Sequence, residues 1–283
     1  MNDTLITFII TVLTASITAF LTYFGSIKMN FQNKVLELKR EQTYKYFLPL
    51  KFSADELFFR LSHIEKRIVE KRDINLQLPQ TLDNKDFEWY FTDWKDKEQK
   101  IANGYFLVST IFMHALLYNK INLVLEEYPF IKVNIKKSLE DYINESSIND
   151  EQLKRSYKSA TTDEHTKTWT NVEILASKRG KVEIEELIKA VRLSAIMKNG
   201  IPYGLQTAFG QFLDKIVNGK KEQINYEEFC HILMDKEKRI KFLPLYNFYS
   251  QLVDSNFNID EKKLSKVRAL MISLLMFRNA ELK

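Results

Sequence analysis

Cysteine, glycine and proline are all scarce in this chain. The single cysteine, Cys230, excludes an internal disulfide framework and favours a reducing compartment. Seven glycines and five prolines in 283 residues are few for a fold built from strands and tight turns. This composition predicts long helices, and the expected fold class is all-α.

The short motifs that carry common chemistries are also missing. The sequence contains no P-loop, no dinucleotide-binding glycine pattern, no zinc-protease helix motif and no nucleophile elbow. Its histidines have no ligand-like spacing: they are His63, His114, His165 and His231. Cys230 precedes His231 directly, and adjacent residues on a helix point about 100° apart, which suits one metal poorly. We therefore expect no metal, cofactor or catalytic residue, and favour a non-enzymatic function.

One segment is similar to the second half of a calcium-binding loop. It runs from Asn218 to Phe229, with Glu228 in the place of the last ligand. This alignment puts residues unsuited to calcium at the first, third and fifth positions: Val217, Gly219 and Lys221. We interpret the segment as a turn followed by the start of a helix.

Charge is absent from Thr4 to Gly25, and this segment has no proline and no glycine before its last residue. At about 1.5 Å per residue its 22 residues would span roughly 33 Å, close to the hydrocarbon thickness of a bilayer. A signal peptide should begin with basic residues and place small residues after the apolar core. Here Met1-Asn2-Asp3 carries no positive side chain, and Ala15 and Ala19 lie inside the core. We predict an uncleaved anchor over residues 1–25.

Basic residues follow the anchor closely: Lys28, Lys34, Lys39, Arg40 and Lys45. The positive-inside rule then predicts an external N-terminus and a cytoplasmic domain over 26–283, in a single-pass protein of the inner membrane. The net charge of +5 is mild, and no basic block is dense enough to predict a specific nucleic-acid partner. The expected partner of the juxtamembrane charge is the lipid bilayer.

Threonines recur within the anchor at alternating spacings of three and four. They are Thr4, Thr7, Thr11, Thr14 and Thr18, with Thr22 four residues further on. This heptad spacing places the hydroxyls on one helical face, beside the small pair Ala15 and Ala19. One interpretation is a homo-oligomer that associates through this face, or lines a narrow polar path. The alternative is that each hydroxyl simply bonds back to a carbonyl of the preceding turn.

The remainder divides into two predicted helical regions. Residues 26–160 include a juxtamembrane helix that should break at Pro49, and Ser53 to Glu56 has the form of a capping box that opens the next helix. Residues 161–283 form a second region or a continuation, with the boundary in the polar segment 160–175. Periodicity predicts helices over 87–127, 130–143, 149–158, 182–195, 205–217, 225–235, 240–254 and 260–277.

A second apolar segment runs from Ile101 to Tyr118. It includes Asn103, Gly104 and His114, and its uninterrupted apolar part has the length of a buried core helix. We interpret it as a core helix, with a second membrane span as the alternative.

The basic cluster Lys178, Arg179 and Lys181 precedes a predicted helix start. Backbone N–H groups at a helix N-terminus bind anions, so together with residues 200–203 this cluster is the candidate site for a phosphorylated small ligand. The alternative is a solvated helix start, since exposed basic residues are common.

Several segments look like uncharacterised bacterial proteins with one N-terminal span and an all-helical cytosolic domain. The residues are Tyr46 to Leu61, Tyr105 to Thr110, Arg179-Gly180 and Tyr203-Gly204. The resemblance implies this architecture and a bacterial setting, and it implies no active site.

Three functions fit these patterns. The first is an anchored homo-oligomer that senses a partner or ligand and acts at the membrane, by analogy with effectors of bacterial anti-phage defence. The second is a tethered scaffold that recruits a cytosolic protein. The third is an anchored hydrolase without a recognisable motif, using Asp163, His165 or His114.

Overall fold

The computed structural model describes residues 2–69, 98–127, 131–136, 138–145, 172–196, 201–249 and 261–282. The helices are α1 (Asn2–Gln42), α2 (Leu48–Val69), α3 (Glu98–Glu127), α4 (Ser138–Glu145), α5 (Ile184–Ile196), α6 (Tyr203–Phe212), α7 (Tyr226–Met234), α8 (Lys236–Arg239), α9 (Leu243–Tyr249) and α10 (Glu261–Arg278). The strands are β1 (Lys132–Ile135), β2 (Gly180–Glu183), β3 (Asp214–Val217), β4 (Lys220–Gln223) and β5 (Glu281–Leu282). Helices dominate, and the all-α prediction is confirmed.

The chain divides into two compact units, Met1–Phe47 and Leu48–Lys283. The predicted boundary near residue 160 lies outside the described residues, as do the predicted helix at 149–158 and most of the polar segment 160–175. The first unit contains α1 and a π-helical turn, Thr43–Phe47. All the remaining elements belong to the second unit.

A new helix begins at Leu48, next to the predicted break at Pro49, but the helical residues themselves are not interrupted from Asn2 to Val69. Pro49 lies in the first turn of α2, directly after the π-helical turn. A proline is tolerated there because the N–H groups of a first turn have no partner within the helix. Ser53 and Glu56 consequently lie inside α2 and do not cap its start.

Helix α10 forms the centre of the second unit. Every residue from Val267 to Phe277 is buried, as expected for a helix that is surrounded by other elements on all sides. α10 packs against α2, α4 and α5. The hydroxyls of Ser273 on α10 and Ser194 on α5 lie 2.7 Å apart within this packing.

A buried ion pair joins α2 to α10. Glu65 and Arg268 are each only 6% exposed, and the Arg268 Nε donates to the Glu65 Oε1 at 2.6 Å. The buried Tyr142 of α4 donates from its hydroxyl to the Glu65 Oε2 at 3.1 Å. Three helices therefore meet at one carboxylate.

Helix α3 packs between α2 and α6. Its segment Val108–Glu127 is long and apolar enough to cross a membrane, yet 61% of the apolar 18-residue window within it is buried inside the fold, which is typical of a core helix. Gly210 of α6 allows close contact, because a Cβ there would lie 2.7 Å from the Asn119 backbone nitrogen and 2.8 Å from the Tyr118 carbonyl carbon. The side-chain amide of Asn119 donates to the Gly210 carbonyl oxygen at 2.9 Å.

Part of the predicted helix at 130–143 is a strand. β1 lies at the centre of an antiparallel sheet of order β2-β1-β5, with Val133 opposite Val182 and Leu282. Ile131, Val133 and Ile135 are buried, and this alternation has the period of a strand. The helix begins only at Ser138.

The end of the predicted helix at 205–217 is also a strand. α6 ends at Phe212, and β3 pairs with β4 in a hairpin whose turn holds Asn218 and Gly219 at positive φ. Asn-Gly supplies the left-handed conformations that a two-residue hairpin turn requires. The predicted helix start after this turn is confirmed: Asn225 and Glu228 form a capping box at the N-terminus of α7.

Replacing Arg268 by Leu should lower the free energy of unfolding by about 3–5 kcal/mol, because Glu65 would remain buried without its cationic partner. The double variant Glu65→Leu, Arg268→Leu should lose less than Arg268→Leu alone, since no charge is left buried. Urea unfolding of the full chain in detergent measures the free energy of unfolding of both variants. Glu183→Gln, which removes an exposed pair with Lys132, is the control. Additive losses in the double variant would contradict the interpretation.

Gly210→Ala should destabilise the protein by about 1–3 kcal/mol, because the new methyl group overlaps the backbone of α3. The matched control is Gly204→Ala on the same helix, where an added Cβ meets no atom within 4 Å. That change should be neutral or stabilising by up to about 1 kcal/mol. Thermal unfolding compares the two variants, and equal midpoints would show that the close approach is unimportant.

Candidate functional site

Helix α1 is exposed on every side from residue 11 to residue 34, and large apolar side chains occupy the part of its circumference outside the threonine spacing. Those at least 46% exposed include Phe8, Val12, Leu13, Ile17, Phe20, Leu21, Phe24 and Ile27. The run Thr11–Lys66 passes the length and hydropathy criteria for a membrane span, and none of its apolar window is buried. α3 meets the same criteria. The described part of the chain thus contains two helices that are long and apolar enough to cross a membrane, by length and composition only.

The predicted threonine face exists as a continuous strip along α1. It is lined by Thr11, Thr14, Ala15, Thr18, Ala19, Thr22, Tyr23 and Ser26. Thr7 lies one turn before this strip, and Thr4 belongs to α1 although its side chain lies outside the described part. Tyr23 and Ser26 are members that the threonine spacing did not include.

The hydroxyls of this strip donate to the helix itself. Thr11 donates to the Thr7 carbonyl oxygen, and Thr18 and Thr22 donate to the oxygens four residues earlier, each at 2.8 Å. Ser26 donates to the Tyr23 carbonyl oxygen, also at 2.8 Å. Each of these hydrogens is therefore used within α1, which makes the strip compatible with lipid. The hydroxyl oxygens keep lone pairs that a donor on another helix can contact.

The three basic residues predicted to bind an anion lie around the start of β2. Their side chains are exposed, and Lys178 lies 3.9 Å from the carboxylate of Glu186. The first turn of α5, which follows β2, carries Glu185 as well. These carboxylates already supply negative charge at the helix N-terminus. Of the three predicted residues, Lys178 therefore lies next to an acidic side chain, that of Glu186.

His114 lies in the core of the second unit. Its ring is fully buried, stacks on Tyr118 with centroids 4.6 Å apart, and has its Nδ1 2.7 Å from the Tyr249 hydroxyl. Burial lowers the pKa of His114 to about 3, so the imidazole is neutral at physiological pH. Such a ring has no access to a substrate. The other two residues of the hydrolase hypothesis, Asp163 and His165, lie outside the described residues.

A polar cluster that the sequence did not predict lies where α3, α5 and α6 meet. Arg192 of α5 donates from Nη2 to the Asn122 Oδ1 at 3.1 Å, and its guanidinium lies 5.9 Å from the ring centroid of Tyr203. Gln206 of α6 donates from Nε2 to the Arg192 carbonyl oxygen at 2.9 Å. Tyr118 lies one turn before Asn122 on α3. Residues far apart in sequence thus contact Arg192: Asn122 and Tyr203 lie against its guanidinium, and Gln206 binds its backbone carbonyl oxygen.

Charge couples the members of this cluster. Burial raises the pKa of Tyr118, and the positive guanidinium of Arg192 opposes that rise. Burial lowers the pKa of Arg192, and Tyr118 and Tyr203 act in the opposite direction. The cluster is consequently a place where a half-buried positive charge lies next to neutral phenols.

In the segment that is similar to a calcium loop, Glu228, which has the place of the last ligand, makes other contacts. Glu228 accepts the backbone N–H of Asn225 at 2.9 Å and forms an ion pair with Lys215. Cys230 is buried while its neighbour His231 is exposed, because adjacent residues on a helix point about 100° apart. Within the described ranges, no group of three or more His, Cys, Asp or Glu side chains could hold a metal ion.

Comparisons with known proteins identify no relative: no protein-family model, no curated protein and no solved structure matches the chain. The resemblance to anchored bacterial proteins therefore stays an expectation. Function is therefore inferred from the physical properties of α1 and of the second unit.

Acidification should destabilise the protein through His114. Its pKa is about 3 in the folded state and 6.5 for an unperturbed histidine, so the unfolded chain binds an extra proton between these pH values. Stability should fall as the pH drops from about 6.5 to 3, by a total on the order of 5 kcal/mol from this residue. His114→Gln should flatten that part of the profile.

Urea unfolding at pH 7, 6, 5 and 4 gives the free energy of unfolding of the wild type and of His114→Gln. The change of their difference with pH measures the effect of His114. The matched control is His231→Gln on the exposed face of α7. A His114→Gln variant that loses stability with acidification as steeply as the wild type would contradict the assignment.

Proposed function

We propose that this protein is a membrane-anchored, non-enzymatic helical protein that self-associates through the threonine face of α1. The observation that carries the proposal is the exposure of apolar side chains around α1. Complete removal of one such side chain from water gains about 1.5–3 kcal/mol, so a fully exposed helix of this composition is unstable in water. Lipid covers it without any further contact from the chain.

The polarity of the threonine face supports association within lipid. Small side chains let two helix backbones approach closely, and Ala15 and Ala19 supply a small-xxx-small pair beside the hydroxyls. The hydroxyl oxygens that remain available as acceptors add weak interhelical contacts, worth about 0.6 kcal/mol each on average. The bulky side chains Leu13, Ile17 and Phe20 belong to the other side of the helix, which would face lipid.

Orientation follows from the basic residues after the span, as the positive-inside rule applies to them. In this proposal the N-terminus lies outside the inner membrane, and the second unit senses a partner or ligand in the cytoplasm. Assembly of several spans would then perturb the membrane, as an effector of bacterial antiviral defence does.

A second candidate is a membrane-tethered scaffold. One face of α2 favours it: Phe52 and Phe59 lie two turns apart and are 63% and 53% exposed. Exposed aromatic side chains on one helix face are typical of a protein-binding surface. In this function the anchor only tethers, and its sequence is unimportant.

Replacing Thr7, Thr11 and Thr14 with Leu should weaken self-association roughly 20-fold, because three contacts of about 0.6 kcal/mol each are lost per interface between two helices. The apolar length increases, so membrane insertion should be retained. Crosslinking and fluorescence energy transfer in nanodiscs or vesicles measure the association.

The matched control is the triple variant Leu13→Ile, Ile17→Leu, Phe20→Leu on the opposite side of α1, which should assemble like the wild type. Replacing residues 4–25 by an unrelated span without threonine separates the two functions. Loss of assembly and of membrane leakage supports the first, whereas full retention of both overturns it and leaves the scaffold.

A further inference from the structure

Among the described residues, three buried polar atoms of the cluster around Arg192 have no hydrogen-bond partner. They are the Arg192 Nε, the Tyr118 hydroxyl and the Gln206 Oε1. The side chains of Tyr118 and Gln206 are fully buried. Native proteins normally satisfy such groups with protein, water or ligand atoms, because an unsatisfied buried group loses its hydration without compensation.

Arg192 also has no charged partner among the described residues. No carboxylate there lies within 4.0 Å of its guanidinium, whereas charges in protein interiors are usually paired. Its Nη2 contacts only neutral oxygens, those of Asn122 at 3.1 Å and Thr207 at 3.5 Å. The contacts of Arg192 therefore hold the guanidinium in place without neutralising it.

The orientation of Gln206 is fixed by its own contacts. Its Nε2 donates to two carbonyl oxygens, those of Arg192 at 2.9 Å and Ile201 at 2.8 Å. The Oε1 must therefore be the atom that has no partner, and it can only accept. The cluster thus offers one charged donor, one hydroxyl and one acceptor.

We propose that this cluster is a binding site for a small oxyanion of the phosphate class. Phosphate oxygens would accept from the Arg192 Nε and from the Tyr118 hydroxyl, and a protonated phosphate oxygen would donate to the Gln206 Oε1. Tyr203, which lies against the guanidinium and is 40% exposed, marks the side open to solvent. The ligand is free phosphate or a phosphate monoester.

Phosphate would be the ligand that the second unit senses. The inference rests on the proposed function only for the effect of phosphate binding on the membrane. Binding itself is independent of α1. The variant Thr7→Leu, Thr11→Leu, Thr14→Leu should therefore bind phosphate with unchanged affinity, so failure of one proposal is distinguishable from failure of the other.

Calorimetric titration of the full-length protein in detergent, at pH 7, with inorganic phosphate and with sulfate tests the site. Both ions have similar size and shape, but sulfate has no proton to donate at this pH. Phosphate should bind at least about tenfold more tightly than sulfate, because sulfate leaves the Gln206 oxygen facing another oxygen. Equal affinities, or no binding of phosphate by the folded protein, would overturn the proposal.

Substitutions locate the binding. Arg192→Lys keeps a positive charge without the Nε donor and should weaken phosphate binding at least about tenfold. Tyr118→Phe should also weaken it about tenfold while raising the thermal midpoint of the unliganded protein, because it removes an unsatisfied hydroxyl. If Tyr118 had only a structural role, Tyr118→Phe would not weaken phosphate binding while raising the thermal midpoint.

The matched control is Arg179→Gln in the exposed basic cluster before β2. It should bind phosphate like the wild type. Loss of binding in Arg179→Gln with full binding in Arg192→Lys would overturn the assignment and place the anion at the exposed cluster. A phosphorylated lipid headgroup is distinguished from a soluble phosphate monoester by vesicles with and without phosphatidic acid, in competition with inorganic phosphate.

Discussion

The ion pair between Glu65 and Arg268 is the contact on which the arrangement of the second unit depends. It is almost free of solvent, and Tyr142 completes the hydrogen bonding of the carboxylate. Burying two charges is costly, so they are stable there only when α2, α4 and α10 meet in one geometry. Since α10 is buried on all sides, the position of this helix fixes that of its neighbours.

The two units differ in whether their apolar side chains are buried. In the second unit most large apolar side chains are buried, whereas those described in α1 are exposed. The same chain thus contains one part with a buried apolar core and one long helix without such a core. Our proposals assign membrane assembly to α1 and ligand binding to the polar cluster around Arg192.

The helical class and most helix positions could be predicted because they depend on local composition and period. The strand β1 was missed because its alternation is only four residues long, and the hairpin β3–β4 was missed although Asn218-Gly219 is a strong turn signal. The Arg192 cluster could not be found from sequence. Its members lie on three helices, and nothing local distinguishes Arg192 from other basic residues of an amphipathic helix.

The apolar length of α1, the spacing of its threonines and the dominance of helix follow from the sequence alone, because each depends on neighbours within one or two turns. Packing sets the burial of α3, the central position of α10, and the position of the Arg192 guanidinium beside Tyr203 with no carboxylate of the described residues within 4.0 Å. Those properties depend on contacts between residues separated by many tens of positions. Only the packing of whole helices brings such residues together, as the short distance between Gly210 and the α3 backbone illustrates.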